Sequence, residues 1–236
     1  MICVCILTHN RIDKVKVCLE SIYPGLRGEL HILDQNSTDG TREWLQGWSQ
    51  RKSNVHLTLS FQNLMAIGGR QRQVDMLRHR IGPQSIVVFL DSDVIAENQG
   101  LWLTHLKQWA SVHGIAGVYG RNIFPQFGGF AEPDRVPGPC DVVSGGMTAV
   151  RGDVFLSGVE FDQAYLPFWH CDSDFCLSAR AKGFKVYCVG NYAGLRHEPE
   201  HKKTDDQYYN NLNRLRDKWM GKGLIQAERV AVEASA

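Results

Sequence analysis

The segment SIVVFLDSD at residues 85–93 constrains the fold more than any other stretch of the chain. Five apolar residues, from Ile86 to Leu90, run without polar alternation and are followed by Asp91 and Asp93. An unbroken apolar run of this length is typical of a strand buried on both faces, as in a parallel sheet covered by helices. The two carboxylates then lie at the strand end, where open α/β sheets bind ligands. They can hold a divalent cation, or they can cap the next helix or turn.

Further apolar strands precede this one and are separated by helical patterns. Strands are predicted at residues 2–8, 30–33 and 55–61. Strands that alternate with helices predict βαβ units, so we expect an α/β fold with a mostly parallel, Rossmann-like central sheet flanked by helices. The ends of parallel strands meet at one edge, which brings Thr8, Asp34 and Asp91 into a cleft that can hold a nucleotide.

The second half of the chain has a less regular pattern. It is predicted to contain a helix, a strand and a long loop rich in Gly and Pro at 101–112, 117–123 and 124–140. A further strand, helix, strand and closing helix are predicted at 142–150, 172–182, 184–189 and 205–219. This half therefore adds a smaller sheet region and helices to the regular first half.

The cysteines and the apolar stretches bear on the compartment. The chain has seven cysteines, an odd number without a CxxC pair, and Cys3 and Cys5 share one face of an apolar strand. We therefore expect reduced thiols, as in the cytoplasm, rather than disulfides or a zinc site. Residue 1 opens directly into the first strand, which leaves no room for a signal peptide, and no apolar stretch approaches the roughly 20 residues that span a bilayer. The predicted location is the cytoplasm, and peripheral contact with a membrane stays open.

The first strand is not followed by a glycine-rich phosphate loop. The residues after it are THNR, which match neither GxGxxG nor a Walker loop. A metal ion at Asp91 and Asp93 is therefore the expected means of holding phosphates. Arg70, which follows Gly68-Gly69, can add a charge-assisted contact, or it can lie at a solvated helix start.

Two carboxylates and a tryptophan occur together at residues 169–174, WHCDSD. Asp172 and Asp174 lie at the predicted start of a helix, where a carboxylate can serve as a cap or as a general base. Trp169 can form an apolar wall against a sugar. His197 follows the last predicted strand and can return to the metal, although a single histidine is more often structural.

The order of these motifs resembles glycosyltransferase family 2 over roughly residues 1–200. The segments that carry the resemblance are ILTHNR at 6–11, ILDQNSTDGT at 32–41, NLMAIGGRQR at 63–72, DSD at 91–93, SGGMTAVR at 144–151 and CDSDFCLSARAKGFKV at 171–186. The resemblance implies the GT-A fold. It also implies a domain at 1–200, made of a nucleotide-sugar half at 1–100 and an acceptor half at 101–200, with a C-terminal helix and tail at 201–236.

The resemblance implies a role for each matching residue. The residues expected to bind the nucleotide-sugar are Thr8, His9, Asn10, Arg11, Asp34, Asn63, Gly68, Arg70, Asp91 and Ser92. Asp93, His197 and Asp91 are expected to hold Mn²⁺ or Mg²⁺, and Asp172 takes the place of the catalytic base. The acceptor and sugar pocket is expected to contain Gly145, Gly146, Trp169 and His170. The chain departs from the family pattern at Cys171, where a Glu is usual, and at Ser178, where an Arg is usual.

These roles predict a metal-dependent, inverting glycosyltransferase that uses a nucleoside-diphosphate sugar, most simply a UDP-sugar. The acceptor is expected to be a hydroxyl of a saccharide, of a lipid-linked molecule or of another compound. The basic residues near the C-terminus also allow a nucleic acid acceptor, although a net charge of +1 gives no general indication of one. Two alternatives are a nucleotidyltransferase, whose Gly-rich basic signature is absent after the first strand, and a non-catalytic carbohydrate-binding or nucleotide-sugar-binding protein.

Overall fold

Strands and helices follow one another closely along the chain. The computed structural model describes residues 1–98, 100–124, 129–130, 134–197, 206–219 and 222. The strands are β1 (Ile2–Thr8), β2 (Glu29–Gln35), β3 (Val55–Ser60), β4 (Ile86–Asp91), β5 (Val94–Ala96), β6 (Gly114–Gly117), β7 (Gly120–Arg121), β8 (Ile123–Phe124), β9 (Gly129–Phe130), β10 (Gly138–Pro139), β11 (Val142–Val143), β12 (Met147–Arg151), β13 (Lys185–Cys188) and β14 (Leu195–His197). The helices are α1 (Ile12–Ile22), α2 (Thr41–Ser49), α3 (Met65–Leu77), α4 (Leu101–His113), α5 (Gly152–Leu156), α6 (Cys171–Ala181) and α7 (Asp206–Trp219).

Eight of the described strands form one central sheet, in the order β10-β13-β6-β12-β4-β1-β2-β3. Strands β4, β1, β2 and β3 are parallel neighbours, whereas β12 is antiparallel to both of its neighbours, β4 and β6. Of the seven pairings described in this sheet, four are parallel. The prediction of an α/β fold with a mostly parallel sheet flanked by helices is therefore confirmed. Among the described residues, β7 with β11, β5 with β14 and β8 with β9 form the smaller sheet region.

The central strands are buried because their side chains alternate between two apolar cores. In β4, Val87 and Phe89 pack into one core with residues of α3, α5 and α6. Val88 and Leu90 pack into the other core with residues of α1 and α4. Successive residues of a strand point to opposite faces, so covering both faces buries every residue of the run. The predicted doubly buried strand is confirmed.

The strand predicted at 117–123 is wrong because the chain bends there. It divides into β6, β7 and β8, and β6 already begins at Gly114, directly after α4. Gly117 lies so close to Val143 that a Cβ on residue 117 would be 2.6 Å from the Val143 Cβ. The strand predicted at 142–150 likewise divides into β11 and β12, around a turn that contains Gly145 and Gly146. Both errors arise at glycines that permit close backbone approach.

The long loop predicted at 124–140 contains short strands. Strands β9 and β10 lie within it, and β10 extends the central sheet by pairing with β13. Residues 125–128 and 131–133 of this segment lie outside the described residues. The prediction of a loop therefore holds for only part of its length.

The closing helix α7 packs behind α6 and fixes the turn that precedes it. The carboxylate of Asp174, in the first turn of α6, accepts hydrogen bonds from Lys218 Nζ and Trp219 Nε1 at 2.9 and 2.6 Å. Asn211 is fully buried, and its amide donates to the carbonyls of Phe168 and Trp169 at 2.8 and 3.2 Å. The first turn of α6 and the preceding residues Phe168 and Trp169 are therefore bonded to the same helix.

The described residues show no disulfide and no bilayer-length apolar helix. The seven cysteines, all of which lie within the described residues, are not paired in disulfides. None of the helices in the described part of the chain combines the length and the apolarity that a bilayer-crossing segment needs.

Candidate active site

The polar ends of β1 and β2 lie side by side at the carboxyl edge of the sheet. Thr8 is the register partner of Asp34. Asn10, at φ 51°, donates its backbone N–H to Ser37 Oγ at 3.0 Å, and its Oδ1 accepts from the Thr38 N–H at 2.7 Å. The loops after the two strands are thereby joined into one wall of the site.

Asp39 explains why the loop after β2 needs its particular sequence. Its Oδ2 accepts from the N–H of Ile12 at the start of α1, and its Oδ1 accepts from the N–H of Thr41 at the start of α2, both at 3.0 Å. Gly40 provides the left-handed backbone, at φ 91°, between the cap and α2. The Asp-Gly-Thr segment is therefore a shared cap for two helices, a structural role that the sequence analysis missed.

Asp34 is fully buried and has one oxygen engaged and one without a partner. Its Oδ2 accepts from Arg42 Nε at 2.9 Å and from the Ser37 N–H at 3.3 Å. Within the described residues, neither Asp34 Oδ1 nor Thr8 Oγ1 has a hydrogen-bond partner. An unsatisfied buried polar atom costs about 1–3 kcal/mol, so these two atoms mark a position where a ligand can complete the bonding. Arg42, the second residue of α2, was missed because its helix position alone suggests an exposed side chain.

Three side chains that can bind a metal ion converge beyond β4. One ligand atom from each of Asp91, Asp93 and His197 lies within 4.8 Å of the other two. Nε2 of His197 is 3.0 Å from Asp93 Oδ1 and 3.7 Å from Asp91 Oδ2. The pairing of β5 with β14, in which His197 is opposite Val94, brings the histidine back to the acids across about 100 residues. The structure therefore brings together the three residues predicted as metal ligands.

Two arginines orient the two carboxylates. Arg11 Nη1 donates to Asp93 Oδ2 at 2.9 Å, and Arg70 Nη2 donates to Asp91 Oδ1 at 2.8 Å. In each carboxylate the second oxygen is the one that lies near His197. The three remaining donor atoms are thus two carboxylate oxygens and one imidazole nitrogen, a set that suits Mn²⁺ or Mg²⁺. The residues present therefore fit a divalent ion of this kind.

Asp93 and His197 stabilise each other's charged form. Burial on its own raises the pKa of Asp93, but hydrogen bonding and charge from His197 and the charge of Arg11 outweigh it, and the pKa is lowered. Burial lowers the pKa of His197, but the hydrogen bond to Asp93 and the charge of Asp91 outweigh it, and the pKa is raised. Asp93 is therefore ionised at neutral pH and is available as an anionic ligand.

Arg70 interacts with both Asp91, at the end of β4, and Asp172, in α6. It is only 6% exposed, so the alternative of a solvated helix start is wrong. Burial opposes its charge, but the carboxylates of Asp91 and Asp172 outweigh burial and raise its pKa. A Cβ on Gly145 would clash with the guanidinium of Arg70, and one on Gly146 would be 2.5 Å from Asp91 Oδ2. The glycine pair is therefore required for these side chains to reach the backbone turn.

The two acids in the first turn of α6 have different environments. Asp174 is 1% exposed, and its oxygens are engaged by Lys218, Trp219 and the Tyr165 hydroxyl. Asp172 is partly exposed and accepts from the Gly145 N–H at 3.0 Å through Oδ2. The carboxylate of Asp174 thus bonds to α7. Asp172 lies beside the turn at Gly145 and can accept a proton.

Trp169 and His170, which directly precede α6, have left-handed backbone conformations, at φ 75° and 60°. Such values are uncommon for residues other than glycine, and the carbonyl of Trp169 is held by Asn211 of α7. Burial lowers the pKa of His170 to about 4; nearby Asp172 opposes this effect and the charges of Arg121 and Arg216 add to it. His170 is therefore a neutral imidazole at neutral pH.

Other predicted site residues lie nearby, and two of them contact neighbouring backbone atoms. Asn63 Oδ1 accepts from the Met65 N–H at 2.9 Å, at the start of α3, and His9 Nδ1 lies 2.8 Å from the carbonyl oxygen of Gln35. Gly68 lies inside α3, which begins at Met65. Ser92 is buried between the two acids. Their binding roles stay predictions.

The family comparison covers more than half of the chain. The family model described as glycosyl transferase family 2 matches residues 3–137. This range includes β1 to β9 and two of the three clustered metal-binding side chains, Asp91 and Asp93. No curated protein sequence matches the chain significantly.

Two solved structures share the fold. One is the mannosyltransferase PcManGT from Pyrobaculum calidifontis in complex with GDP-Man and Mn²⁺, with a TM-score of 0.60, 16% identity, and coverage of 81% of this chain and 55% of that chain. The other is GalNAc-T7 with UDP, GalNAc and Mn²⁺, with a TM-score of 0.72, 14% identity, and coverage of 94% and 48%. The chain spans about half the length of these structures. At this identity the likeness concerns the fold.

Proposed function

Because this chain belongs to glycosyl transferase family 2, we propose that it transfers a sugar from a nucleoside-diphosphate donor to an acceptor hydroxyl, with a divalent metal ion and inversion at the anomeric carbon. The observation that carries the proposal is the convergence of one oxygen of Asp91, one oxygen of Asp93 and Nε2 of His197. Both solved relatives in fold were determined with Mn²⁺ and a nucleotide or nucleotide-sugar, which agrees with this donor class.

The base pocket favours a uracil donor. Asp34 has a single oxygen left, because Arg42 and the Ser37 N–H engage the other, and Thr8 Oγ1 is beside it. Uracil presents one N–H between two carbonyls, which one carboxylate oxygen and one hydroxyl can satisfy. Guanine presents two adjacent N–H donors, which would pair better with both oxygens of a carboxylate. We therefore propose a UDP-sugar as the donor.

The diphosphate is expected beside Asp91 and Asp93. A bound Mn²⁺ or Mg²⁺ supplies Lewis-acid stabilisation of the charge that grows on the leaving nucleoside diphosphate. Asp91, Asp93 and His197 hold that ion, while Arg11 and Arg70 keep the two carboxylates in place. The buried guanidinium of Arg70 also interacts with the carboxylates of Asp91 and Asp172, so it partly neutralises both charges when the donor binds.

Asp172 is the proposed general base. Its partial exposure and its contact with the Gly145 N–H leave it able to accept a proton from an acceptor hydroxyl. The hydroxyl oxygen forms the new bond to the anomeric carbon as the bond to the diphosphate breaks, and the proton passes to Asp172. One displacement from the opposite face inverts the anomeric configuration.

Replacement of Asp172 by Asn tests the assignment. We expect kcat to fall by about 10²–10⁴-fold, because the amide cannot accept the proton, while donor binding persists. Thermal-shift screening of UDP-, GDP- and dTDP-sugars with and without Mn²⁺ identifies the donor for this assay. NMR of the product reports the anomeric configuration.

Asp174→Asn is the matched control. It removes a neighbouring carboxylate that holds α7, so it should lower thermal stability while turnover per folded molecule is retained. Wild-type turnover in Asp172→Asn would refute the assignment of the base. Release of pyrophosphate instead of nucleoside diphosphate would refute the proposed reaction and indicate nucleotidyl transfer.

A further inference from the structure

A second group of metal-binding side chains lies at the opposite end of the sheet. Cys3, Glu29, His31 and His56, here called the amino-edge cluster, belong to the neighbouring strands β1, β2 and β3. Cys3 is the register partner of Glu29, and His31 is the register partner of His56. Since Cys3 and Thr8 are five residues apart on β1, the cluster lies about 16 Å from the nucleotide end of that strand. It is separate from the proposed active site.

The four side chains converge on one carboxylate oxygen. Glu29 Oε2 is 3.1 Å from His31 Nε2, 3.7 Å from His56 Nε2 and 4.0 Å from Cys3 Sγ. The ligand atoms of Cys3, Glu29 and His31 all lie within 4.8 Å of one another. Ligand atoms of a tetrahedral zinc ion, at bond lengths of about 2.0–2.3 Å, lie about 3.3–3.8 Å apart. The observed separations bracket that range.

Ordinary hydrogen bonding accounts for only part of this arrangement. The short contacts of Glu29 to Arg80 and to His31 are explained as ion pairs or hydrogen bonds. The thiol of Cys3, however, is at the outer limit of a hydrogen bond, and His56 is too far for one. The rings of His31 and His56 are stacked, with centroids 4.6 Å apart and an interplanar angle of 16°, so the two imidazoles cannot both direct an in-plane lone pair at one ion. His31, whose ligand atom lies within 4.8 Å of those of Cys3 and Glu29, is the imidazole placed to bind. Hydrogen bonds therefore do not explain why Cys3 and His56 also lie close to Glu29 Oε2.

Arg80 acts here as Arg11 and Arg70 act at the other end of the sheet. Its Nη2 donates to Glu29 Oε1 at 2.6 Å, so Oε2 is the oxygen that remains near the thiol and the imidazoles. Zinc binds cysteine as the thiolate, so a bound ion would displace the thiol proton of Cys3.

We propose that the amino-edge cluster binds a zinc ion through three of its members, Cys3 Sγ, Glu29 Oε2 and His31 Nε2, with solvent as the fourth ligand. Binding forms three bonds to the protein and releases the Cys3 proton to solvent. A set of one thiolate, one imidazole and one carboxylate suits zinc better than it suits manganese or magnesium. The side chain of His56 is 43% exposed, which gives the ion a path from solvent. No zinc site was expected from the sequence, since the chain has no CxxC pair and these ligands are contributed by two separate strands.

The site has a structural consequence. An ion held by β1 and β2 would join the first residues of two adjacent strands, where the carboxyl-edge loops provide no support. Because zinc binds the folded protein and the ligands are dispersed in the unfolded chain, binding should stabilise the fold.

Cobalt substitution in tag-free, chelator-treated protein tests the proposal. Co²⁺ is the probe because a cobalt–thiolate bond gives a charge-transfer absorption that an oxygen-rich site does not give. We expect about one equivalent of Co²⁺ to produce this band, Zn²⁺ to abolish it, and Zn²⁺ to raise the thermal unfolding midpoint. Asp93→Asn, which removes a ligand at the other end of the sheet, should leave the band unchanged.

Variants of the cluster make the test specific. Cys3→Ser should lose the band, whereas Cys140→Ser, which removes the partly exposed cysteine, should retain it. His31→Gln, which removes the imidazole ligand, should weaken cobalt affinity at least about ten-fold. Circular dichroism checks the fold of each variant. Absence of the band in the wild type, its persistence in Cys3→Ser, or undiminished affinity in a folded His31→Gln variant would overturn the proposal.

Discussion

At both ends of the central sheet, arginines orient carboxylates beside other side chains that can bind metal, but these side chains differ. At the carboxyl edge, Arg11 and Arg70 each hold one oxygen of an aspartate, and the other oxygens lie near His197. At the amino edge, Arg80 holds one oxygen of Glu29, and the other lies near a thiol and two imidazoles. Oxygen-rich and sulfur-containing sets favour different metal ions.

The two ends also differ in what supports the side chains. The carboxyl-edge residues come from loops, from α3 and from the distant β14, so they surround space that a substrate can enter. The amino-edge residues are all on strands whose register fixes their spacing. The difference agrees with the proposals that the carboxyl edge serves the reaction and that the amino edge serves the fold.

The largest expected difference between the ends is in turnover. Asp93→Asn should lower kcat/KM by at least about 10²-fold, because it removes an anionic ligand of the catalytic metal ion. Glu29→Gln should keep wild-type turnover. Both are measured as nucleoside diphosphate release at saturating Mn²⁺. An equal loss of activity in the two variants would contradict the separation of roles.

A second difference should appear in stability when the arginines are replaced. Arg70→Met leaves Asp91 and Asp172 without a buried cation and should lower the free energy of unfolding by about 2 kcal/mol. Arg80→Met breaks an ion pair at the surface and should have a much smaller effect in the metal-free protein. Urea unfolding of both variants at one pH makes the comparison. A larger loss in Arg80→Met would reverse the assignment of the buried and the exposed pair.

The smallest expected difference is in the pH dependence of stability. Burial lowers the pKa of His170 to about 4 from an ordinary value of 6.5, so between these values the unfolded chain binds more protons. Stability is therefore full above pH 6.5 and is lost as the pH falls toward the folded pKa, by about 1–2 kcal/mol between pH 7 and 5. His170→Asn, which suits a left-handed backbone position, should remove this loss.

The amino edge provides the comparison for this measurement. The pKa of His31 is also lowered by burial, but Glu29 opposes the shift, so His31→Gln should flatten the pH dependence less. Urea unfolding at a series of pH values from 5 to 7 reports both. An unchanged slope in His170→Asn would show that this imidazole is not held neutral by the fold.

The sequence predicted the elements whose signals are local. The apolar run before Asp91 and the strand at residues 2–8 were identified because burial on both faces and the alternation of strands with helices are visible in the residues themselves. The joining of Asp91, Asp93 and His197 was expected from the family resemblance, and the structure brings the three together.

Features that depend on contacts between distant residues were not predictable in the same way. The burial of Arg70 arises from the turn at Gly145, which is 75 positions later in the chain. The pairing of Arg42 with Asp34 depends on the packing of α2 against β3, and the sequence shows only a basic residue on a helix. The strand errors at 117–123 and 142–150 likewise follow from close contact between the two segments, at Gly117 and Val143.

The amino-edge cluster was missed although its members are visible. Cys3 was interpreted as a small buried residue, and Glu29, His31 and His56 were not considered together. Aligning the first residues of the three predicted parallel strands would have placed them side by side. Such an alignment needs the strand order, which the sequence does not state directly.

The antiparallel insertion of β12 between β4 and β6 has a consequence for synthesis of the protein. During translation β4 emerges well before β12, so one edge of the most apolar strand lacks its final partner until residues 147–151 leave the ribosome. Unpaired apolar edges are prone to association with other chains. The interval between these strands is therefore the period in which a nascent chain of this protein most needs a chaperone.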